Sequence, residues 1–202
     1  KEGSTVFIHH DNAYLMNIAG GLNLIPYGTE DDLYVNGRIT GNSPYLTFEW
    51  KAGKDGETYQ VQTQLIGEYN FPNALAAITI GRFFGVKDAK INEALAGYTP
   101  QNNRSQLKKT DDNTLIIDAY NANPTSMMAA LQNFRNMEVP HKMLILGDMR
   151  ELGAESATEH QKIADYLKEC TFEKVWLVGD QFAAAEHSFQ TYPNVQEVIK
   201  DR

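Results

Sequence analysis

The chain has 202 residues, of which 42% are hydrophobic and 22% are charged, and its formal net charge is −8. This length allows one large domain or two small ones, each with a substantial core, and the composition excludes disordered, collagen-like and low-complexity chains. Because an acidic surface repels a phosphate backbone, we expect no nucleic-acid partner, although a local basic patch would still allow one nucleotide to bind.

The cysteine content and the length of the apolar runs indicate in which compartment the protein works and whether it crosses a membrane. The single cysteine, Cys170, excludes an internal disulfide framework and a cysteine-based zinc site, which fits a reducing compartment. The longest apolar runs, such as residues 74–80, are far shorter than the roughly 20 residues that span a membrane. We therefore expect a cytoplasmic protein without a membrane partner. The sequence begins at Lys1 with neither an initiator methionine nor an apolar signal segment, which predicts a longer parent chain.

The first part of the chain begins with a strand that leads into a helix. Residues 5–10 (TVFIHH) predict a short strand, and Asp11 is placed to cap a helix that ends at Gly20-Gly21. This order is typical of an α/β fold. Residues 33–39 predict a further strand.

A hairpin and two helices follow. Residues 45–51 and 58–65 alternate in polarity on either side of a glycine-containing turn, which predicts an antiparallel pair of strands. Pro72 suits the first turn of a helix that runs to Gly85, and a second helix is predicted over residues 89–96.

After a polar, irregular stretch at residues 98–103, which we interpret as a domain boundary, strands and helices alternate strictly. Such alternation, with nearly continuous apolar strands, predicts parallel βαβ units with helices on both faces of the sheet. Ligands of these sheets bind at the carboxyl ends of the strands, where Asp118 and Asp148 lie. The predicted strands cover residues 114–120, 142–146 and 174–178, and the predicted helices cover residues 124–137, 157–170 and 181–190.

The densest polar cluster lies at the end of the first of these strands. Asp118 is placed to hold ribose hydroxyls, and the amides of Asn121 and Asn123 supply paired donors and acceptors beside a helix N-terminus. Ordinary capping is the alternative, because Asn123 directly precedes Pro124 at the first helical position. Two asparagines and an aspartate are more than one cap needs.

Three further positions are candidates for ligand binding. Asp148 lies in a charged, glycine-containing loop, residues 146–153, that either clamps a substrate or forms a solvated turn. Asn73 follows Asn70 by three positions, so both amides can face one side of a helical turn, with capping as the alternative. Arg104 offers a permanently charged fork suited to phosphate or, equally, to a carboxylate of the protein.

Other common site patterns are missing from the sequence. It contains no Gly-x-x-x-x-Gly-Lys-Ser/Thr loop, no cysteine or histidine spacing for a metal and no Gly-x-Ser-x-Gly motif. His160, alone on a predicted helix, is assigned no role. We therefore predict neither a metal site nor a catalytic residue within this chain.

Four segments, in the same order along the chain, resemble the Mur ligases. They are residues 67–77 (GEYNFPNALAA), 98–106 (YTPQNNRSQ), 118–131 (DAYNANPTSMMAAL) and 146–153 (LGDMRELG). The resemblance spans almost the whole chain and implies an α/β fold. Residues 1–103 would be the mixed-sheet end of the central ATPase domain. Residues 104–202 would be a Rossmann-like, mostly parallel βαβ C-terminal domain that lacks its last strand region.

The resemblance implies an ATP-dependent, ADP-forming ligase of peptidoglycan precursor synthesis. In such a reaction the carboxylate of a UDP-N-acetylmuramoyl-tripeptide is phosphorylated to an acyl phosphate, which the amine of D-Ala-D-Ala then attacks. By this resemblance Asn73 would contact adenine, Arg104 the ATP phosphates and Asp118 the ribose. Asn121 and Asn123 would line the closed cleft, and Asp148 would help to place the incoming dipeptide.

Other parts of the family's active site would precede residue 1: the phosphate-binding loop, the Mg²⁺-binding acid and histidine, and a modified lysine. We therefore expect ATP and Mg²⁺ to be used by a monomeric parent protein, and we expect no activity from this chain alone. Two alternatives stay open. One is another Mur-type or folylpolyglutamate-type ligase with a different acceptor, and the other is a non-catalytic nucleotide-binding module.

Overall fold

The computed structural model describes residues 4–101 and 103–201. Contacts between residues divide the chain into two units, Lys1–Ile117 and Asp118–Arg202. The predicted boundary between family domains, after residue 103, stays a prediction. Among the residues described, no helix is both long enough and apolar enough to cross a membrane.

The first unit combines strands with three α-helices in its described residues. A 3₁₀ turn, Glu68–Asn70, leads directly into the second helix. The strands are β1 (Thr5–His9), β2 (Asn23–Gly28), β3 (Val35–Asn42), β4 (Leu46–Lys51), β5 (Tyr59–Gln62), β6 (Gln106–Lys109) and β7 (Thr114–Ile117), and the helices are α1 (Ala13–Ile18), α2 (Phe71–Phe83) and α3 (Asp88–Gly97).

Five of these strands form a mixed sheet in the order β1-β2-β3-β4-β5. The pairs β1–β2 and β2–β3 are parallel, whereas β3–β4 and β4–β5 are antiparallel, so the predicted hairpin is confirmed. Strand β2, which contains Pro26, is not among the strands predicted from the sequence. The proline is tolerated because β3 pairs only with Tyr27 and Gly28, beyond Pro26.

Helix α2 packs on this sheet and closes the first hydrophobic core. Its buried side chains Phe71, Leu75 and Ile78 follow the three- or four-residue spacing of one helical face. Alternate residues of a strand point to the same face of a sheet, and those of β4 meet α2 here. The buried β4 residues are Leu46, Phe48 and Trp50.

Strands β6 and β7 form a separate antiparallel hairpin. The predicted strand 114–120 ends at Ile117, and its predicted place in a parallel βαβ unit is wrong, because all of β7 pairs with β6. A tight turn joins the two strands, and within it the Thr110 N–H donates to Asn113 O at 2.8 Å.

The second unit contains a parallel sheet with helices around it. The sheet order is β10-β9-β8, and both pairs are parallel, which confirms a mostly parallel sheet in this part of the chain. The strands described are β8 (Met143–Gly147), β9 (Lys174–Val178) and β10 (Gln190–Tyr192), and the helices are α4 (Pro124–Asn136), α5 (Ser156–Lys168), α6 (Asp180–Ala184) and α7 (Val195–Lys200).

The end of the chain differs from the prediction. The helix predicted over residues 181–190 stops at Ala184, and β10 and α7 follow it. His187 fixes the intervening turn, because its Nδ1 accepts from the Phe189 N–H at 3.1 Å and its Nε2–H donates to Phe182 O at 2.8 Å.

Strand β9 is buried on both faces, which explains its continuous apolar run. Val175 and Leu177 contribute to a core with α5 and α6. Trp176 and Val178 contribute to a second core with β10 and α7. The two sets alternate along the strand, as a pleated strand requires.

Strand β8 forms one edge of this sheet within the described residues. Leu144 and Leu146 pack against the core that contains α5. The alternate side chains Met143 and Ile145 are 38% and 56% exposed. One face of β8 is therefore apolar and open to solvent.

A hydrogen bond from the Tyr192 hydroxyl to Asp201 Oδ2 ties β10 to the end of α7. Burial, together with this bond, raises the pKa of Tyr192 to about 12, and the same bond lowers the pKa of Asp201. Because the phenol stays protonated in the folded chain, its contribution to stability is present below pH 10.0 and is lost as the pH rises to about 12.

We expect Ile78→Ala to lower the free energy of unfolding by about 2–5 kcal/mol, because it leaves a cavity between α2 and the sheet. Ile80→Ala on the same helix is the matched control. Ile80 is 41% exposed, so its loss should cost only about 0.5 kcal/mol. Urea unfolding measures both values. Equal losses would contradict the assignment of Ile78 to the core.

Candidate functional site

Asp148 directly follows β8, and its carboxylate is held by the adjacent strand and helix. Oδ2 accepts from the Gln181 backbone N–H and Oδ1 from that of Phe182, both at 3.0 Å. The carboxylate thus satisfies free N–H groups at the start of α6. It lies directly over Gly179, where a Cβ atom would be 2.2 Å from Oδ2. This contact, together with a φ of 121°, requires glycine at position 179.

His160 is fully buried and fixes the loop that follows Asp148. Its Nε2 accepts from the Met149 backbone N–H at 3.0 Å, so Nδ1 carries the proton and donates to Ser156 O at 2.7 Å. The ring also packs edge-on against Phe182, with ring centroids 4.7 Å apart. His160, to which the sequence assigns no role, holds the loop in place.

The first unit repeats this arrangement with different residues. Asp11 follows β1, and its Oδ2 accepts from the Thr29 N–H at 3.0 Å, just beyond β2. A Cβ atom at Gly28 would lie 2.6 Å from Asp11 Oδ1. The predicted cap of α1 by Asp11 is wrong, because Asn12 accepts from the Leu15 N–H instead, at 3.1 Å.

The loop between β7 and α4 carries three of the candidate residues. Asn123 is the N-cap of α4, since its Oδ1 accepts from the Ser126 N–H at 3.0 Å, and the capping alternative is confirmed for this residue. Asp118 and Asn121 are exposed and lie outside helices and strands. This cap does not use their side chains, so both stay predicted ligand contacts.

Asn73 is exposed in the first turn of α2. Asn70 lies at the N-cap position of α2, as the capping alternative predicts, but its side chain makes no cap and its Nδ2 donates to Ile66 O at 2.8 Å. The amide of Asn73 is thus accessible at the start of a helix, as an adenine contact requires.

Arg104 is exposed in the segment that leads into β6, between two residues with left-handed backbones. The φ angles are 57° at Asn103 and 47° at Ser105. The Ser105 hydroxyl is 2.6 Å from that of Tyr69, in the 3₁₀ turn before α2. The structure thus joins the segment of Arg104 to the helix of Asn73 within the first unit.

The six candidates divide between the units. Asn73 and Arg104 belong to the first unit, and the other four belong to the second. The sequence analysis does not single out Tyr69, Ser105 or Gly179 as functional. Only Gly179 has a recognisable signal, a glycine at the end of an apolar strand.

No metal site was predicted in this chain. Among residues 4–101 and 103–201, no three histidine, cysteine, aspartate or glutamate side chains form a group that could hold a metal ion.

Comparison with known proteins identifies the family. The family model of the Mur ligase, glutamate ligase domain matches residues 103–202. The chain belongs to the Mur ligase family. The Bacillus subtilis (strain 168) UDP-N-acetylmuramoyl-tripeptide--D-alanyl-D-alanine ligase is 39% identical over 117 residues, which are 57% of this chain and 26% of that ligase. The Escherichia coli (strain K12) ligase of the same name is 30% identical over 168 residues, 83% of this chain and 35% of that ligase.

Solved structures share the fold of this Mur ligase chain. MurF from Acinetobacter baumannii matches with a TM-score of 0.83 and 23% identity, over 98% of this chain and 44% of that one. MurF from Thermotoga maritima, solved in complex with ADP, matches with a TM-score of 0.81 and 18% identity, over 100% of this chain and 47% of that one. These likenesses confirm the α/β fold, with a mixed sheet followed by a mostly parallel sheet. The chain spans less than half the length of each of these proteins.

We expect Gly179→Ala to lower the free energy of unfolding by about 1–3 kcal/mol, because it strains the backbone and displaces the Asp148 carboxylate. Gly147→Ala, at the end of the neighbouring strand, is the matched control, since nothing lies within 4 Å of a Cβ atom there. Urea unfolding measures both variants.

A double variant separates the clash from the backbone strain. Adding Asp148→Ala to Gly179→Ala removes the atoms that collide, so the combined loss should be smaller than the sum of the single losses. Strictly additive losses would mean that the contact between these two residues is not the cause.

Proposed function

We propose that this chain is part of an ATP-dependent, ADP-forming ligase that joins D-Ala-D-Ala to a UDP-N-acetylmuramoyl-tripeptide in peptidoglycan precursor synthesis. The observation that carries the proposal is the 39% identity, over 117 residues, with the Bacillus subtilis ligase named for this reaction. Because the chain spans 26% of that relative, the activity is proposed for the parent protein and not for these residues alone.

Three exposed side chains are proposed to bind the nucleotide. The Asn73 amide suits adenine, because it offers both a donor and an acceptor. Arg104 suits the phosphates, because its guanidinium is permanently charged and can donate two parallel N–H bonds to phosphate oxygens. Asp118 suits the ribose, because a carboxylate can accept from two neighbouring hydroxyls.

ATP supplies the leaving group that a carboxylate lacks. In the first step, a carboxylate oxygen of the tripeptide attacks the γ-phosphorus and ADP leaves. In the second step, the amine of D-Ala-D-Ala attacks the carbonyl of the acyl phosphate, phosphate leaves, and the nitrogen loses a proton. We assign Arg104 the task of stabilising the charge on the transferred phosphoryl group.

The second unit is proposed to contribute side chains that bind the substrates, among them the acceptor D-Ala-D-Ala. Asn123 uses its oxygen as a cap, which leaves its amide N–H groups as donors towards a substrate. Each oxygen of Asp148 accepts one backbone bond and keeps capacity for another, which suits the amine end of a dipeptide. Asn121, which is also exposed, is proposed to join Asn73, Arg104 and Asp118 as a nucleotide contact.

The proposed setting follows from the same family. Mg²⁺ is proposed as a cofactor of the parent, with ligands outside the described residues, which hold no group of three metal-binding side chains. We propose that the parent is a cytoplasmic monomer with neither a nucleic-acid nor a membrane partner.

An acceptor screen tests the reaction. We expect the purified full-length parent, supplied with ATP and UDP-N-acetylmuramoyl-tripeptide, to form ADP and an amide product with D-Ala-D-Ala and not with single amino acids. Mass spectrometry detects the product. Activity only with a single amino acid would favour another Mur-type or folylpolyglutamate-type ligase, and nucleotide binding without ADP formation would favour a non-catalytic module.

Substitutions in the same parent test the nucleotide contacts. We expect Arg104→Ala to raise KM for ATP about 10- to 100-fold and Asp118→Ala about tenfold, because charged hydrogen bonds to the nucleotide are lost. Arg38→Ala and Asp112→Ala, at exposed positions of the same charge, are the matched controls. Steady-state kinetics measures the change, and an unchanged KM for ATP would remove that residue from the site.

A further inference from the structure

A hydrogen bond between two hydroxyl groups joins distant segments of the first unit. Tyr69 Oη and Ser105 Oγ are 2.6 Å apart, although 36 positions separate the residues. Ser105 is 6% exposed and Tyr69 is half-buried, so water has little access to the bond. Removal of either hydroxyl would deprive the other of this partner where water cannot easily replace it.

The turn before α2 is built around the Tyr69 ring. Gly67 has a φ of 94°, and a Cβ atom there would lie 2.3 Å from Tyr69 Cε1, so the ring occupies space that only glycine leaves. Asn70 fixes the same turn, because its N–H donates to Gly67 O at 3.1 Å and its Nδ2 donates to Ile66 O at 2.8 Å. The Tyr69 hydroxyl therefore projects from a well-supported turn.

On the other side of the bond, Ser105 belongs to a strained segment. Asn103 and Ser105 both have left-handed backbones, which non-glycine residues adopt only at a cost in free energy. Arg104 lies between them. Such conformations persist where surrounding contacts hold them, and the bond to Tyr69 is a contact of this kind.

We propose that Tyr69 is a positioning residue for Arg104. Its hydroxyl fixes Ser105, and thereby the place from which the Arg104 guanidinium reaches the phosphates of ATP. The inference rests on the proposed function, which supplies the role of Arg104. Because the turn of Tyr69 leads directly into α2, the bond also fixes this place relative to Asn73.

The test uses the full-length parent with Tyr69→Phe, which removes the hydroxyl and keeps the ring. We expect KM for ATP to rise about three- to tenfold, the effect of one hydrogen bond, while KM for D-Ala-D-Ala stays near the parent value. Ser105→Ala should act alike. The double variant should have a KM for ATP no higher than that of the more affected single variant, because all three variants lose the same hydrogen bond.

Tyr59→Phe is the matched control. Its hydroxyl donates to Glu57 Oε2 at 2.9 Å on the surface of the same unit, and its removal should leave KM for ATP unchanged. Amide hydrogen exchange of the 202-residue chain gives a readout without activity. Tyr69→Phe should speed exchange at residues 103–106 and leave β4 protected, whereas unchanged exchange at residues 103–106 would overturn the inference.

Arg104→Ala separates this inference from the proposed function. If that variant leaves KM for ATP unchanged, the role of Arg104 is wrong and the role of Tyr69 is wrong with it. If Arg104→Ala raises KM for ATP but Tyr69→Phe changes only the melting temperature, or changes nothing, Tyr69 does not position Arg104. The proposed function then stands without it.

Discussion

A carboxylate that lies over a glycine at the end of the neighbouring parallel strand organises both units. Asp148 over Gly179 and Asp11 over Gly28 share this geometry. Beyond the strand end, Asp148 accepts from two backbone N–H groups and Asp11 from one. The arrangement satisfies donors that a turning chain would otherwise leave unpaired, and only a residue without a Cβ atom permits the close approach. Loops that leave these strand ends therefore start from fixed points, and in the second unit His160 extends the support to the next residue.

Regular burial explains which elements are predictable from the sequence. The apolar run of β9 and the alternation of β4 reflect burial on two faces and on one, and both identify strands. Strand β2 is not predictable in this way, because Pro26 lies within it and is compatible only with its particular pairing. Strand β10 has three residues, too few for any period. The pairing of β7 with β6 does have a local signal, the polar turn at residues 110–113, but the prediction of parallel strands does not use it.

The same distinction applies to the candidate site. Asn123 is recognisable as a cap, because its role depends on the residues next to it. The role of Tyr69 depends on Ser105, 36 positions away, and that of His160 on a backbone N–H that the fold brings to its ring. The exposure of a side chain also helps to decide between a ligand contact and a purely structural role, which the sequence alone leaves open. The structure leaves Asn73 accessible, which a motif cannot reveal.

The open face of β8 affects how the second unit would behave as a separate protein. An edge strand presents unpaired backbone groups, and exposed apolar side chains on that strand favour pairing with another copy. Met143 and Ile145 combine both features at one edge of the described sheet. Residues 118–202 produced alone would therefore tend to aggregate through β8. A charged side chain at position 145 would oppose that aggregation without entering the core formed with α5.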